Sequence, residues 1–153
     1  MIDKDELAAE LTNDEALKLY VYDDATGLPI RPGTLVKGHP SIGIGRCLDM
    51  KGLTRAESIF LNGDDIDEVE KQLNAGLPWF AALDSVRQTA LGNMTFNLGF
   101  HGLLGFHDAL ALIASKQYEA AADAMLASHW ATQTGARAKR IAEMIRTGLK
   151  PVR

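Results

Sequence analysis

Three carboxylates cluster near the start of this chain: Glu15, in the pair Asp14-Glu15, and Asp23-Asp24, eight and nine residues later. A pair of acids suitably held can cleave a glycosidic bond. One protonates the leaving oxygen, and the other activates water or attacks the sugar. The acid must keep its proton near neutral pH, so it should be partly desolvated. Glu15, at a helix end against the apolar start of a strand, fits that requirement. Asp23 or Asp24, at a turn, is expected to be better solvated and to stay ionised. The six residues Leu17 to Tyr22 alternate in character, with Leu17, Leu19 and Val21 on one side and Lys18, Tyr20 and Tyr22 on the other. That is strand periodicity. A straight strand of six residues spans about 20 Å, so the acids at its two ends meet only if the chain bends or folds back. Acids also cap helices and turns without catalysing anything, and spacing alone does not separate the two cases.

Other chemistries find less support. The four histidines, His39, His101, His107 and His129, form no pair three or four apart on a helix, and the single cysteine, Cys47, does not make a zinc site by itself. No metal and no cofactor is expected. Cys47 reads as a small buried residue rather than a nucleophile, and a lone cysteine permits no internal disulfide. Gly43-Ile44-Gly45 lacks the third glycine of a dinucleotide fingerprint. Asn93-Met94-Thr95 matches a glycosylation sequon but falls in a predicted helix.

These candidates need elements to position them. Asp3 to about Glu15 reads as a short helix with Leu7 and Leu11 on a narrow face. The strand follows, and then Gly27 to Pro40, whose prolines and glycines exclude helix and predict a hairpin or loop. Ser41 to Cys47 reads as a second strand. Thr54-Arg55-Ala56-Glu57 is a capping box that opens a long amphipathic helix to about Asn74, with Ile59, Ile66, Val69 and Leu73 as its apolar face. Asn62-Gly63 weakens the middle of that helix by about 1 kcal/mol relative to Ala. Beyond Pro78 the pattern is almost wholly helical. Helices are predicted near 84–98, 106–115 and 117–127, and from Thr134-Gly135 to Thr147, with Gly99 and Gly148 as stops.

Composition sets the outer bounds. The 153 residues suit one domain, and 46% hydrophobic with 24% charged residues is globular rather than disordered. A net charge of -4 argues against general nucleic-acid binding. The charge is uneven, because residues 130–153 carry +5 and the remainder -9. That basic end suits either an anionic polymer such as a cell wall or a solvated helix face. The N-terminal MIDKDELAAEL has no cationic or apolar run and is read as lacking a signal peptide. No segment approaches the ~20 apolar residues of a membrane span.

DEALKLYVYDDATG followed by SIGIG, LDSVRQTALGNMTFNLG at 83–99, GF at 105–106, YEAAADAMLASHWATQT at 118–134 and RAKR…RTG at 137–148 together resemble the phage-type lysozymes, the endolysins of glycoside hydrolase family 24. The resemblance covers nearly the whole chain in order. It implies a mainly helical α+β fold in a single domain of two lobes, with the active site in the cleft between them. The lobe with the β-sheet would span 12–53, the connecting helix 54–75 and the helical lobe 77–153, with helix 3–12 packing on the latter.

The same resemblance implies hydrolysis of the β-1,4 bond between N-acetylmuramic acid and N-acetylglucosamine in peptidoglycan, without metal or cofactor and with inversion. Glu15 takes the place of the catalytic acid. Asp24 and Ser41, the latter standing for a threonine, would hold the attacking water. Arg137 takes the place of the arginine that pairs with the glutamate, and Phe96 and Asn97 match positions that meet the sugar. The implied partner is the glycan strand, with no nucleic acid and no stable membrane insertion. The implied state is a monomer made in the host cytoplasm and released to the periplasm through a holin. There are departures from the family pattern. Sixteen residues, Ala25 to Pro40, separate Asp24 from Ser41 in place of a short turn, Arg46 stands where histidine is expected, and the stretch from Leu48 to Thr54 is short. A lytic transglycosylase would use one acid and no water, and a wall-binding module would use neither. The intact Glu15 and Asp24 argue against the binding module, and the pair Asp24 and Ser41 against the transglycosylase.

Overall fold

A computed structural model of the chain describes residues 2–15 and 17–151, with side chains described at 2–12 and 17–151. It divides into two compact units, Met1–Ile59 and Phe60–Arg153.

The first unit opens with helix α1 (Lys4–Glu15), whose first amides are capped by Asp3: its Oδ1 accepts from the N–H groups of Asp5 and Glu6 at 3.0 and 3.1 Å. Three strands follow, β1 (Lys18–Asp23), β2 (Pro40–Gly43) and β3 (Arg46–Cys47), forming one antiparallel sheet in the order β1-β2-β3. A short helix α2 (Leu48–Lys51) closes the segment.

Two expectations are corrected here. Ser41 to Cys47 is not one strand but a hairpin, with Ile42 paired to Arg46 and Ser41 to Cys47. Gly43 and Gly45 both sit at φ 67°, a left-handed backbone that β-branched residues resist, so the two glycines turn the chain where their neighbours would have extended it. Nor does β1 bury one alternating face. Leu17 and Leu19 are 59% and 74% exposed, whereas the adjacent Tyr22 and Asp23 are both buried. The register shifts between Lys18 and Tyr22, and that irregularity breaks the two-residue alternation on which the pattern rests.

The long helix α3 (Arg55–Gly76) starts in the first unit and runs into the second. Its capping box forms as predicted: Glu57 N–H donates to Thr54 Oγ1 at 3.2 Å, and Thr54 N–H donates to Glu57 Oε2 at 2.8 Å. The same Glu57 receives Arg46 in a two-pronged pair at 2.6 and 2.8 Å, while Arg46 Nε donates to Gly52 O at 2.8 Å. Arginine at this position therefore ties β3 to the start of α3.

In the second unit a 3-10 turn (Phe80–Ala82) leads to α4 (Ser85–Leu104), α5 (His107–Ala114), α6 (Tyr118–Leu126), α7 (His129–Thr134) and α8 (Ala136–Thr147). Asp84 caps α4 by accepting from the N–H groups of Val86 and Arg87. Gly99, the predicted stop, breaks the helical backbone at φ 73°, and helix resumes beyond it to Leu104. Leu73, Leu91, Met94, Leu103, Ile113, Met125, Ile141 and Ile145 are buried in one aliphatic core. Arg87 closes the far end of α8: Nε donates to Ile145 O at 2.7 Å, Nη2 to Arg146 O at 3.1 Å, and the guanidinium lies 3.6 Å from the ring centroid of Tyr118. Part of the basic C-terminal charge is consumed internally, since Arg146 meets Glu119 at 2.9 Å and Asp123 at 2.8 Å. Among the described residues no helix is long and apolar enough to cross a membrane.

Candidate functional site

The loop after β1 begins at the two aspartates, and they do different things. Asp23 is buried, contrary to the solvated environment expected for either residue. Its carboxylate accepts from the N–H groups of Lys37 at 2.8 Å, Gly38 at 2.9 Å and Ala25 at 3.1 Å. These donors, Lys37 N–H foremost, outweigh the cost of burial and hold its pKa below the ordinary aspartate value. Asp23 is thus ionised as expected, but by main-chain donors rather than by water. It ties both ends of the loop together, with two donors on Oδ1 and one on Oδ2.

Asp24 is exposed. Its N–H donates to His39 O at 3.0 Å, and its Oδ1 accepts from His39 N–H at 2.7 Å. The carboxylate is therefore held at the mouth of the β1–β2 hairpin by the chain that returns to β2. Gly38 makes room for it. A methyl group at Gly38 would collide with Asp24 Oδ1 and would lie 2.7 and 2.8 Å from Ala25 Cβ and N. Tyr22 pairs with Ser41 and Asp23 with Pro40, so the register places Ser41 two residues along β2 from Asp24's partner His39. Ser41 itself is only 2% exposed. The catalytic acid expected at Glu15 falls at the last residue of α1, but its side chain lies outside the described residues. The expected pairing of Glu15 with Arg137 lies outside them for the same reason.

In the second unit a groove of about 520 Å³ runs along α3 and α4. Ile66, Val69, Leu73 and Phe80 give it an apolar floor, and Asn62, Glu70, Gln88, Asn93 and Arg137 supply polar groups. Such a mixture suits a sugar, which offers an apolar ring face and hydroxyl edges. Phe96, half exposed, lies on this groove, and so does Arg137. Arg137 is positioned by Asn93: its Nε donates to Asn93 Oδ1 at 2.9 Å and its Nη2 to Asn93 O at 3.2 Å. Asn97 is not among the groove-lining residues. Its Oδ1 accepts from the indole N–H of buried Trp130 at 3.0 Å, and Trp130 packs edge-on against Phe106 with ring centroids 5.8 Å apart. Asn97 therefore anchors α7 to α4.

Sequence reading missed Gly38 and Asn93, and it named Asp23 only as an alternative to Asp24, not as the anchor of the loop. Asn93 drew attention only as a sequon, and Thr95 of that sequon is buried with its hydroxyl donating to Leu91 O at 2.9 Å. No local pattern announced the role of Asp23, because two of its three amide donors, Lys37 and Gly38, come from the far end of the loop.

No protein-family model matches the chain. It is 30% identical over 159 aligned residues to the pre-baseplate central spike protein Gp5 of Enterobacteria phage T4, across 93% of this chain and 28% of that protein. It is 29% identical to probable T4-type lysozyme 1 of Dictyostelium discoideum, across 90% of this chain and 92% of that protein. A shorter stretch, 43% of the chain, is 39% identical to probable T4-type lysozyme 2 of the same organism and spans 39% of its length. Along nearly its whole length the chain is thus similar to T4-type lysozymes, and its mainly helical α+β fold with a small antiparallel sheet agrees with that likeness. It spans little more than a quarter of the spike protein and nearly all of the first Dictyostelium protein.

Proposed function

We propose that the chain is a muramidase that hydrolyses the β-1,4 bond between N-acetylmuramic acid and N-acetylglucosamine in peptidoglycan. Likeness to a T4-type lysozyme along nearly the full length of both chains is the observation that carries this reading. The exposed, main-chain-anchored carboxylate of Asp24 and the mixed apolar and polar groove at Phe96 and Arg137 support it.

In this mechanism Glu15 donates its proton to the glycosidic oxygen, and Asp24 orients and deprotonates a water that attacks the opposite face of the sugar, inverting the anomeric centre. Ser41 contributes a hydroxyl behind Asp24. Phe96 covers a sugar face, and Arg137 holds polar groups of the glycan and favours the ionised form of Glu15 after proton transfer. The biological role that follows is lysis of a bacterial host by a monomer made in its cytoplasm, reaching the wall through a phage holin.

Mass spectrometry of fragments released from purified peptidoglycan in ¹⁸O-labelled water tests the reaction. Reducing muramic acid ends carrying one labelled oxygen are expected. Anhydro ends would instead establish a transglycosylase, and binding without fragments would establish a wall-binding module. Glu15→Gln and Asp24→Asn should each lower the rate by about 10²–10⁴-fold with the melting temperature unchanged. Ser41→Ala should cost less than either.

A further inference from the structure

The first unit carries a second constellation outside the groups used above. His39 leads into β2, Cys47 ends β3, and Asp49 lies in the first turn of α2. The β2–β3 hairpin and the immediate start of α2 bring the three together, although His39 and Cys47 are eight residues apart in a spacing that resembles no zinc motif. His39 Nδ1 lies 2.9 Å from Asp49 Oδ2, and Cys47 Sγ lies 2.9 Å from Asp49 Oδ1. One imidazole nitrogen, one thiol sulfur and one carboxylate oxygen thus lie within 4.8 Å of one another. Cys47, expected to be a buried apolar residue, is instead partly exposed with its sulfur turned to a carboxylate.

We propose that His39, Cys47 and Asp49 form a binding site for a divalent transition metal of the zinc class. The donor set is the reason. A thiolate with an imidazole suits zinc or cobalt and disfavours magnesium and calcium, which require oxygen ligands. Bonds of about 2.0–2.3 Å from a tetrahedral ion need ligand atoms spread over a few ångströms, the spread these three show. Binding would release the thiol proton to solvent and replace the two contacts to Asp49 by bonds to the ion. Three protein ligands leave a fourth position for water, and the half-exposed His39 and Asp49 leave it open to solvent. The site is coupled to the hairpin mouth, because the main-chain N–H of His39 donates to Asp24. A metal here would fix the return strand of the loop that holds that carboxylate.

Cobalt titration of the metal-free full chain under a non-thiol reductant is the test. A thiolate-to-cobalt charge-transfer band saturating at one metal per chain is expected, with zinc displacing cobalt and magnesium having no effect. Cys47→Ser should abolish the band. His39→Ala and Asp49→Ala should each weaken zinc binding by more than the roughly 10–100-fold that outer-shell groups command, as read by competition with a chelating dye. The lack of a band, or a band unaffected by His39→Ala and Asp49→Ala, would overturn the site, as would saturation at one metal per two chains. Circular dichroism of each variant separates loss of a ligand from loss of fold. The readout is independent of the muramidase reading.

Discussion

Each of the two units of the chain is ordered internally by different physics. In the second, aliphatic side chains from α3 to α8 fill a continuous core, and Leu91, Leu103, Ile141 and Ile145 are almost wholly withdrawn from water. In the first, the buried residues named among the described ones are Tyr22, Asp23 and Ser41, and two of the three are polar. There, order comes from directed contacts: Asp23 to three main-chain amides, Asp24 to His39, and Arg46 to Glu57. A hydrophobic core tolerates imprecision as long as volume is kept, whereas a polar network depends on the position of each donor. The difference suits the proposed reaction, which would need the Asp24 carboxylate held in place while stability is supplied elsewhere.

Breaking each unit in its own currency should expose this contrast. Leu91→Ala opens a cavity in the aliphatic core and should cost about 2–5 kcal/mol in chemical denaturation. Gly38→Ala should do the reverse. It should leave that core intact but displace Asp24, lowering the hydrolytic rate about tenfold, equivalent to roughly 1.4 kcal/mol. A Gly38→Ala variant with full activity would show that the carboxylate need not sit where it does. Thr54→Ala removes the hydroxyl that caps α3 and should cost about 1 kcal/mol, read from the thermal midpoint.

The smallest effect concerns acid. The pKa of Asp23 is depressed in the folded chain, so its anchoring contribution is complete above the ordinary aspartate value of about 3.9 and is lost as pH falls through the lower folded value. The amide resonances of Lys37 and Gly38 should therefore shift with a midpoint below that of a free aspartate. Methyl resonances of Leu91 and Ile145 should stay fixed over the same range. A midpoint at or above the free value would remove Asp23 as the anchor.

What could be read from the sequence divides along the same line. Helix stops and starts depend on one or two residues and were legible: Thr54 with Glu57, Asp84, Gly99 and Gly148 all act locally. The first unit was harder because its decisive contacts span many residues. Lys37 and Gly38 lie fourteen and fifteen residues from Asp23, and Arg46 lies eleven from Glu57. No periodicity records such pairings. The hairpin within Ser41–Cys47 depends on left-handed dihedrals at two glycines, and glycine also occurs in extended strands, so the residue type alone does not announce the turn. The expectations at Asp24, Arg137 and Asn97 came from resemblance to a family, which did not record the bond between Asn97 and Trp130. Matching a position does not reveal whether its amide faces a ligand or an indole.

The stapling of the loop by Asp23 has an engineering consequence. Ile30 N–H donates to Val21 O and Asp23 N–H to Leu28 O, so residues 28–30 lie against β1, while Lys37 and Gly38 are fastened to the Asp23 carboxylate. Between these clamps the tip carries a small turn in which Thr34 N–H donates to Arg31 O and Arg31 N–H to Thr34 Oγ1, with the Arg31 guanidinium 5.6 Å from the ring centroid of Tyr20. Both ends are fixed independently of what joins them. The tip from Pro32 to Val36 is thus a replaceable cassette, in which a foreign peptide or a lengthened loop can be displayed while the anchored carboxylates keep their places.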